Sequence, residues 1–167
     1  MSIVAGTRPE APTWNGPGTF VPPIPLFVCA FAIALWCDRQ YRWPIQPDGV
    51  INLVALIGSV VAVTSLLLFA SGMATFARAR TGILLQKSAT SLVKSGPYRW
   101  SRNPMYVSFI ALYVAGALLA NTVWPLIFLP VVTALLFRFV IAREENYLRG
   151  QFAEHYDEYS KRVPRWL

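Results

Sequence analysis

Charged residues are scarce in this sequence. They make up 14% of its 167 residues, against about 25% in an ordinary soluble domain. With 55% apolar residues, that deficit excludes a conventional water-soluble globule. Acids are scarcer still, 8 against 15 lysines and arginines, for a net charge of +7. Such a balance suits nucleic acid or anionic lipid, and the apolar majority argues against nucleic acid. The two cysteines, Cys29 and Cys37, sit in one apolar run on different faces of a helix. They cannot bridge within it and match no metal-ligand spacing, so they read as apolar filler and no metal is expected. The polar, Pro-rich N-terminal stretch has Arg8 as its single basic residue, which does not suit a cleavable signal. There is no internal repeat.

Long uncharged runs are present instead, and a membrane crossing needs about 20 such residues. The prolines of "VPPIP" suit an entry turn better than a helix interior, so the first span is placed at Pro25 to Asp38. Gly49 to Ala77 is uncharged and predicts a second, tilted span from Val50 to Phe76. Asn103 to Phe137 is too long for one crossing and is interrupted by "NTVWP", a turn signal with an interfacial Trp. A helical hairpin follows: span three from Pro104 to Ala120 and span four from Trp124 to Ala142. The tail beyond is polar and helical up to about Arg162. The expected fold is therefore an all-α integral membrane protein of about four transmembrane helices with a cytoplasmic C-terminal helix. Residues 1–24 form an N-terminal tail, 25–76 the first two spans, and 77–167 a functional region containing the hairpin 104–142. The loop from Arg78 to Arg102 carries six basic residues and no acid. The positive-inside rule puts that loop and both termini in the cytoplasm.

Three clusters on the cytoplasmic side can carry chemistry. The first is "GPYRWSRNPMY", Gly96 to Tyr106. Arg, Tyr and Trp here serve as interfacial anchors, and that suffices for Trp100. It does not explain Arg99 and Arg102 three residues apart between Gly-Pro and Asn-Pro. One helical turn would place both guanidiniums on one side, as a fork for a carboxylate or phosphate. The second is "REENYL", where Glu144 and Glu145 lie beside lipid. Carboxylates there are costly unless paired or solvated; the plain alternative is an i,i+4 surface pair between Glu145 and Arg149. The third is the tail, where Phe152, Tyr156 and Tyr159 form an aromatic stripe suited to packing. His155, the only histidine, lies one position off that stripe and reads as solvated. Arg138 either snorkels or lines a pocket with Glu145, seven residues on. Gly72 permits a close helix or ligand approach.

In order and spacing, "SLVKSGPYRWSRNPMYVS", a hydrophobic hairpin, "REENYLRGQF" and "YDEYSKRVPRWL" together resemble the isoprenylcysteine carboxyl methyltransferase and phospholipid methyltransferase superfamily. These are small integral membrane enzymes that use S-adenosylmethionine. The resemblance covers Leu92 to Leu167; the first two spans match only in being apolar. It implies cofactor-binding roles for Tyr98, Arg99, Arg102, Asn103, Tyr106, Glu144 and Glu145. Arg102, Asn103 and Glu145 would be catalytic, and Arg138, Tyr156, Tyr159 and Arg162 would meet the substrate. Asn103 stands where the family usually has His, so it can hydrogen-bond but cannot titrate near neutrality. Ala153 stands where the family has Gly.

The function expected is methyl transfer from S-adenosylmethionine to a lipophilic small-molecule or lipidated acceptor entering from the membrane lipids. A carboxylate acceptor is favoured because, once ionised, it needs no general base. The alternatives are a phospholipid amine acceptor and a catalytically silent module that binds the cofactor. A transporter subunit is disfavoured, since no charge lies deep in the first three spans.

Overall fold

In a computed structural model the chain is described at residues 22–47, 52–79 and 92–166. The N-terminal tail, nearly all of it, and the basic residues of 80–91 lie outside the described residues. Among these residues the fold is all helix and contains no strand. The helices are α1 (Pro23–Gln40), α2 (Leu53–Ala79), α3 (Pro104–Leu119), α4 (Trp124–Leu136) and α5 (Ala142–Arg162). A single 3-10 turn, Gly96–Arg99, precedes α3, and a π-helical turn, Phe137–Ile141, joins α4 to α5.

The helix boundaries follow local chemistry. α1 begins two residues before the sequence expectation, because proline in a first turn gives up an N–H that has no intrahelical partner. α2 begins three residues after it, at Leu53, where the Asn52 side chain caps the helix by accepting the N–H of Ala55 at 3.1 Å. α3 ends as the "NTVWP" signal requires. Asn121 takes a left-handed φ of 48°, and the N–H groups of Asn121 and Thr122 return to the carbonyls of Leu118 and Ala117. This is a Schellman close.

Two stretches are long and apolar enough to cross a membrane, Leu53–Arg78 and the continuous run Trp124–Arg162. α3, at 16 residues, is only about 24 Å long at 1.5 Å per residue. α2 lies along α3, and small residues let the two backbones close up. A Cβ at Gly58 would meet Leu118 at 2.9 Å, and one at Gly72 would meet Met105 at 3.1 Å. α1 packs on α4 and α3, with the rings of Phe27 and Phe31 set 5.7 and 5.4 Å from that of Tyr113. Phe27, Tyr106, Tyr113, Val132, Leu136, Val140 and Ile141 make the main buried cluster.

At the hairpin tip a polar clasp ties the α1–α2 loop to the α3–α4 turn. Asn121 Oδ1 accepts the N–H of Gln46 and Asn121 Nδ2 donates to its carbonyl, both at 2.9 Å. Thr122 donates to buried Asp38 at 2.7 Å, and Arg42 pairs with the same carboxylate at 2.9 Å. The clasp sits at the opposite end of α3 from "GPYRWSRNPMY".

Two irregularities re-aim the final helix. The π-helical turn carries an extra residue into the run from Trp124. At Ala153 the backbone leaves the helix altogether, with φ 41° and ψ −117°. That region favours glycine, and a Cβ in it costs on the order of 1–3 kcal/mol. We therefore expect Ala153→Gly to raise the thermal unfolding midpoint in detergent and Ala153→Val to lower it. A destabilising Ala153→Gly, the usual outcome for glycine inside a helix, would show that the kink does not form.

Candidate active site

The turn before α3 is fixed by its glycine and its tyrosines. Gly96 has φ 60°, and a Cβ there would come within 2.6 Å of Thr75 Oγ1 on α2, so only glycine allows this turn to sit down on α2. Pro97 and Tyr98 are buried beneath it. The Tyr98 carbonyl accepts the Tyr159 hydroxyl at 2.7 Å, and the Tyr98 ring meets Phe76 edge-on. Burial, and after it the negative charge of Glu144, push the Tyr98 phenol above its ordinary range, so it remains neutral.

From Ser101 to Asn103 the chain is bonded to the C-terminal tail. The Arg102 N–H donates to the Pro164 carbonyl at 2.9 Å. Ser101 Oγ and Asn103 Nδ2 both donate to the Arg165 carbonyl, at 3.1 and 3.2 Å. Asn103 occupies the N-cap position of α3 yet makes no side-chain cap; its amide is used to hold the tail.

That anchoring brings Arg165 onto Glu145. Arg165 Nε and Nη2 each donate to a different Glu145 oxygen at 2.8 Å, the two-pronged geometry of a guanidinium on a carboxylate. Arg102 Nη1 approaches Glu145 Oε1 at 3.4 Å and lies 3.4 Å from the Tyr156 hydroxyl. The carboxylate is 8% exposed and Arg102 13% exposed, so the cluster is one carboxylate buried between two cations. The hydrogen bonds to Glu145 raise the Arg165 pKa further, against the opposing effect of burial. Arg102 Nε is buried and has no hydrogen-bond partner among the described residues. An unpaired buried donor is costly, and here it belongs to one of the two guanidiniums that face Glu145. Beside it, Tyr106 of α3 donates to Glu144 Oε2 at 2.8 Å.

Arg102, Tyr106, Glu144, Glu145 and Tyr156 thus converge, with Asn103 and Tyr98 in their support and Tyr159 tied to Tyr98. Others lie apart. Arg99 ends the 3-10 turn and is exposed, and the segment after it is not helical, so the one-turn fork with Arg102 is not formed. Arg138 is exposed. Its shared face with Glu145 assumed a regular helix, and the π-helical turn between them breaks that register. Arg162 is exposed and sits 3.7 Å from Glu158. Arg149 pairs with Asp157 at 3.1 Å rather than with Glu145, because the Ala153 kink folds the chain back toward it. His155 is exposed. Phe152, Tyr156, Tyr159 and Val163 form a packed cluster with Leu92 and Leu148. Trp100, 72% exposed, is placed as an interfacial anchor would be.

The residue missing from the sequence-based site is Arg165. Its motif, Arg-Val-Pro-Arg, was visible, but its partner lies twenty positions away across a kink. Beside it a groove of about 600 Å³ opens between α4 and the tail, lined by Leu129, Pro130, Thr133, Ala134, Phe137, Arg165 and Trp166. The Arg165 guanidinium lies 4.9 Å from the centre of the Phe137 ring at its edge.

The Arg102–Glu145–Arg165 cluster stands at the end of the apolar hairpin of α3 and α4, with the groove beside Arg165. Residues 53–155 match the family model described as phospholipid methyltransferase, and the chain belongs to that family of membrane methyltransferases, whose members use S-adenosylmethionine. The chain is also 33% identical over 97 residues to the nickel-cobalt-cadmium resistance protein NccN of Alcaligenes xylosoxydans xylosoxydans, covering 57% of this chain and 45% of that protein. It thus spans less than half the length of that relative. Over 68 residues it is 40% identical to an uncharacterized protein of Haemophilus influenzae, covering 38% of this chain and the whole of that one. Among the described residues no group of three or more His, Cys, Asp or Glu is placed to hold a metal ion.

Removing Glu145 leaves the largely buried Arg102 guanidinium without its carboxylate and frees the partly exposed Arg165. We expect Glu145→Ala to cost about 3–5 kcal/mol of stability. Arg149→Ala, whose ion pair is half exposed, should cost less than about 1 kcal/mol. Chemical denaturation in detergent compares them, and equal losses would remove Glu145 from the centre of the fold.

Proposed function

We propose that this chain is an S-adenosylmethionine-dependent membrane methyltransferase acting on a lipophilic acceptor, with a carboxylate acceptor favoured. The observation that carries the reading is the unpaired, buried Arg102 Nε in a cluster that holds Glu145 and, next to it, Glu144. The cofactor's amino-acid end bears one carboxylate and one ammonium, and a guanidinium donor with carboxylate acceptors fits both. Arg102 would hold the carboxylate, and Glu144 or Glu145 the ammonium. Tyr106 orients Glu144 through its hydroxyl, and Tyr98, Tyr156 and Tyr159, all buried, keep water from the site.

When bound, S-adenosylmethionine supplies an electrophilic methyl on a sulfonium. Displacement at that carbon requires alignment and the exclusion of water more than acid–base help. No histidine lies in this cluster, and Asn103 cannot titrate. An ionised carboxylate attacks without losing a proton; an ammonium must first lose one. The second reading is a phospholipid amine acceptor, with which the matched family's description is also in keeping. That acceptor would need its proton taken elsewhere, to water or a carboxylate of the site.

In the same reading α1 to α4 each cross the membrane, with the site, the basic loop and both termini cytoplasmic. The six-to-none excess of basic over acidic residues from Arg78 to Arg102 supports that orientation. In a background lacking Cys29 and Cys37, Asp48→Cys should label from outside intact cells and Lys161→Cys should not. Equal labelling of the two would overturn the topology.

Calorimetric titration with S-adenosylhomocysteine tests the site. Arg102→Ala and Glu145→Ala are expected to weaken binding by about 2–5 kcal/mol, the cost of leaving a desolvated charge unpaired, with Arg149→Ala near wild type. Unchanged affinity in both variants would sink the assignment. Binding without methyl transfer to carboxylate or amine amphiphiles would instead favour a silent cofactor-binding module.

A further inference from the structure

Arg165 touches two places at once. Its guanidinium grips both oxygens of Glu145, and the same side chain lines the apolar groove against Phe137 and Trp166. Its backbone is held independently, through Ser101 and Asn103 on its own carbonyl and Arg102 on that of Pro164. The side chain can therefore leave Glu145 while the tail stays docked. It is also the more exposed of the two cations, 36% against 13% for Arg102.

Charge explains why it would leave. Arg165 occupies both oxygens of Glu145 and Arg102 faces one of them, so an ammonium bonded to Glu145 competes with two guanidiniums for the same carboxylate, with Glu144 the other acid beside it. Like charges that close in a desolvated site repel strongly. Arg102 is the more buried and is also tied to the Tyr156 hydroxyl, whereas Arg165 already lies against Phe137 at the groove edge.

We propose that Arg165 is an exchange residue: it yields Glu145 to the cofactor's ammonium and turns to the groove, where it holds the anionic group of a single-chain amphiphilic acceptor. This rests on the methyltransferase reading above and adds to it a charge for the acceptor and an order to the site. The groove offers an apolar wall for a hydrocarbon chain, and Arg165 is the one charged group among its lining residues. Cofactor and acceptor then help each other to bind, and by linkage the factor is the same in both directions.

The test uses the full chain in maltoside micelles. Affinity for S-adenosylhomocysteine is measured alone and with saturating dodecyl phosphate, a long-chain carboxylate or a neutral monoacylglycerol. At least one of the two anions should tighten binding about tenfold, within the usual range for coupled sites, and the neutral lipid should not. Whichever anion couples identifies the acceptor's anionic group as phosphate or carboxylate. The analogue of S-adenosylhomocysteine lacking the amino group should show no coupling, because nothing then displaces Arg165. Arg165→Gln should abolish the coupling and Arg165→Lys retain part of it. If Arg165→Gln does not fold, the comparison of the two nucleosides on the wild-type chain decides alone. S-adenosylhomocysteine binding that neither anion changes, or equal coupling with the amino-free analogue, overturns the exchange while leaving the methyltransferase reading intact. No S-adenosylhomocysteine binding at all overturns that reading, and the exchange with it.

Discussion

The arrangement of the cytoplasmic end depends on one buried carboxylate. Glu145 draws Arg102 from the turn before α3 and Arg165 from the tail, segments more than sixty residues apart in sequence. Taking three charges out of water is unfavourable unless their geometry is good and their remaining hydrogen bonds are met. The two-pronged Arg165 contact meets the first condition. The bonds that Ser101, Arg102 and Asn103 make to the tail backbone fix where Arg165 emerges, and the second condition is left unmet at Arg102 Nε. The cluster fixes one docking of the tail and leaves one buried donor, Arg102 Nε, without a partner among the described residues.

Much of this was legible in the sequence because the signals were local. Uncharged runs marked the helices, Asn121 marked the hairpin turn, and Gly96-Pro97 and Asn103-Pro104 marked the ends of the site turn. What was not legible depended on irregular backbone. Counting seven residues from Arg138 to Glu145 gives one face only in an unbroken α-helix, and the π-helical turn voids the count. Pairing Glu145 with Arg149 is the natural choice in a straight helix, and the kink at Ala153 offers Arg149 another acid. Neither irregularity has a strong one-residue signature. The nearest to one was Ala153, which stands where the resembling family carries glycine.

Asn103 shows how a side chain can support the candidate site through the backbone. Its amide supports the carbonyl of the residue that grips Glu145, so its influence on a ligand runs through the placement of the tail. A histidine there could make the same bond and would add a titrating group. The asparagine keeps the scaffold and leaves out the proton chemistry, which accords with an acceptor that arrives ready to react.

The π-helical turn at Phe137–Ile141 has a consequence for how this helix tolerates change. Deleting one residue from the turn would restore an unbroken helix with better-formed hydrogen bonds. Since the wider turn takes up its extra residue, the helix beyond would keep its direction and both carboxylates would still face Arg102. A residue lost from the regular helix between Ala142 and Glu144 is different: nothing absorbs it, and the acids would rotate by about 100°. Length is therefore elastic at 137–141 and fixed immediately beyond, while the side chains of Val140 and Ile141 stay pinned in the core.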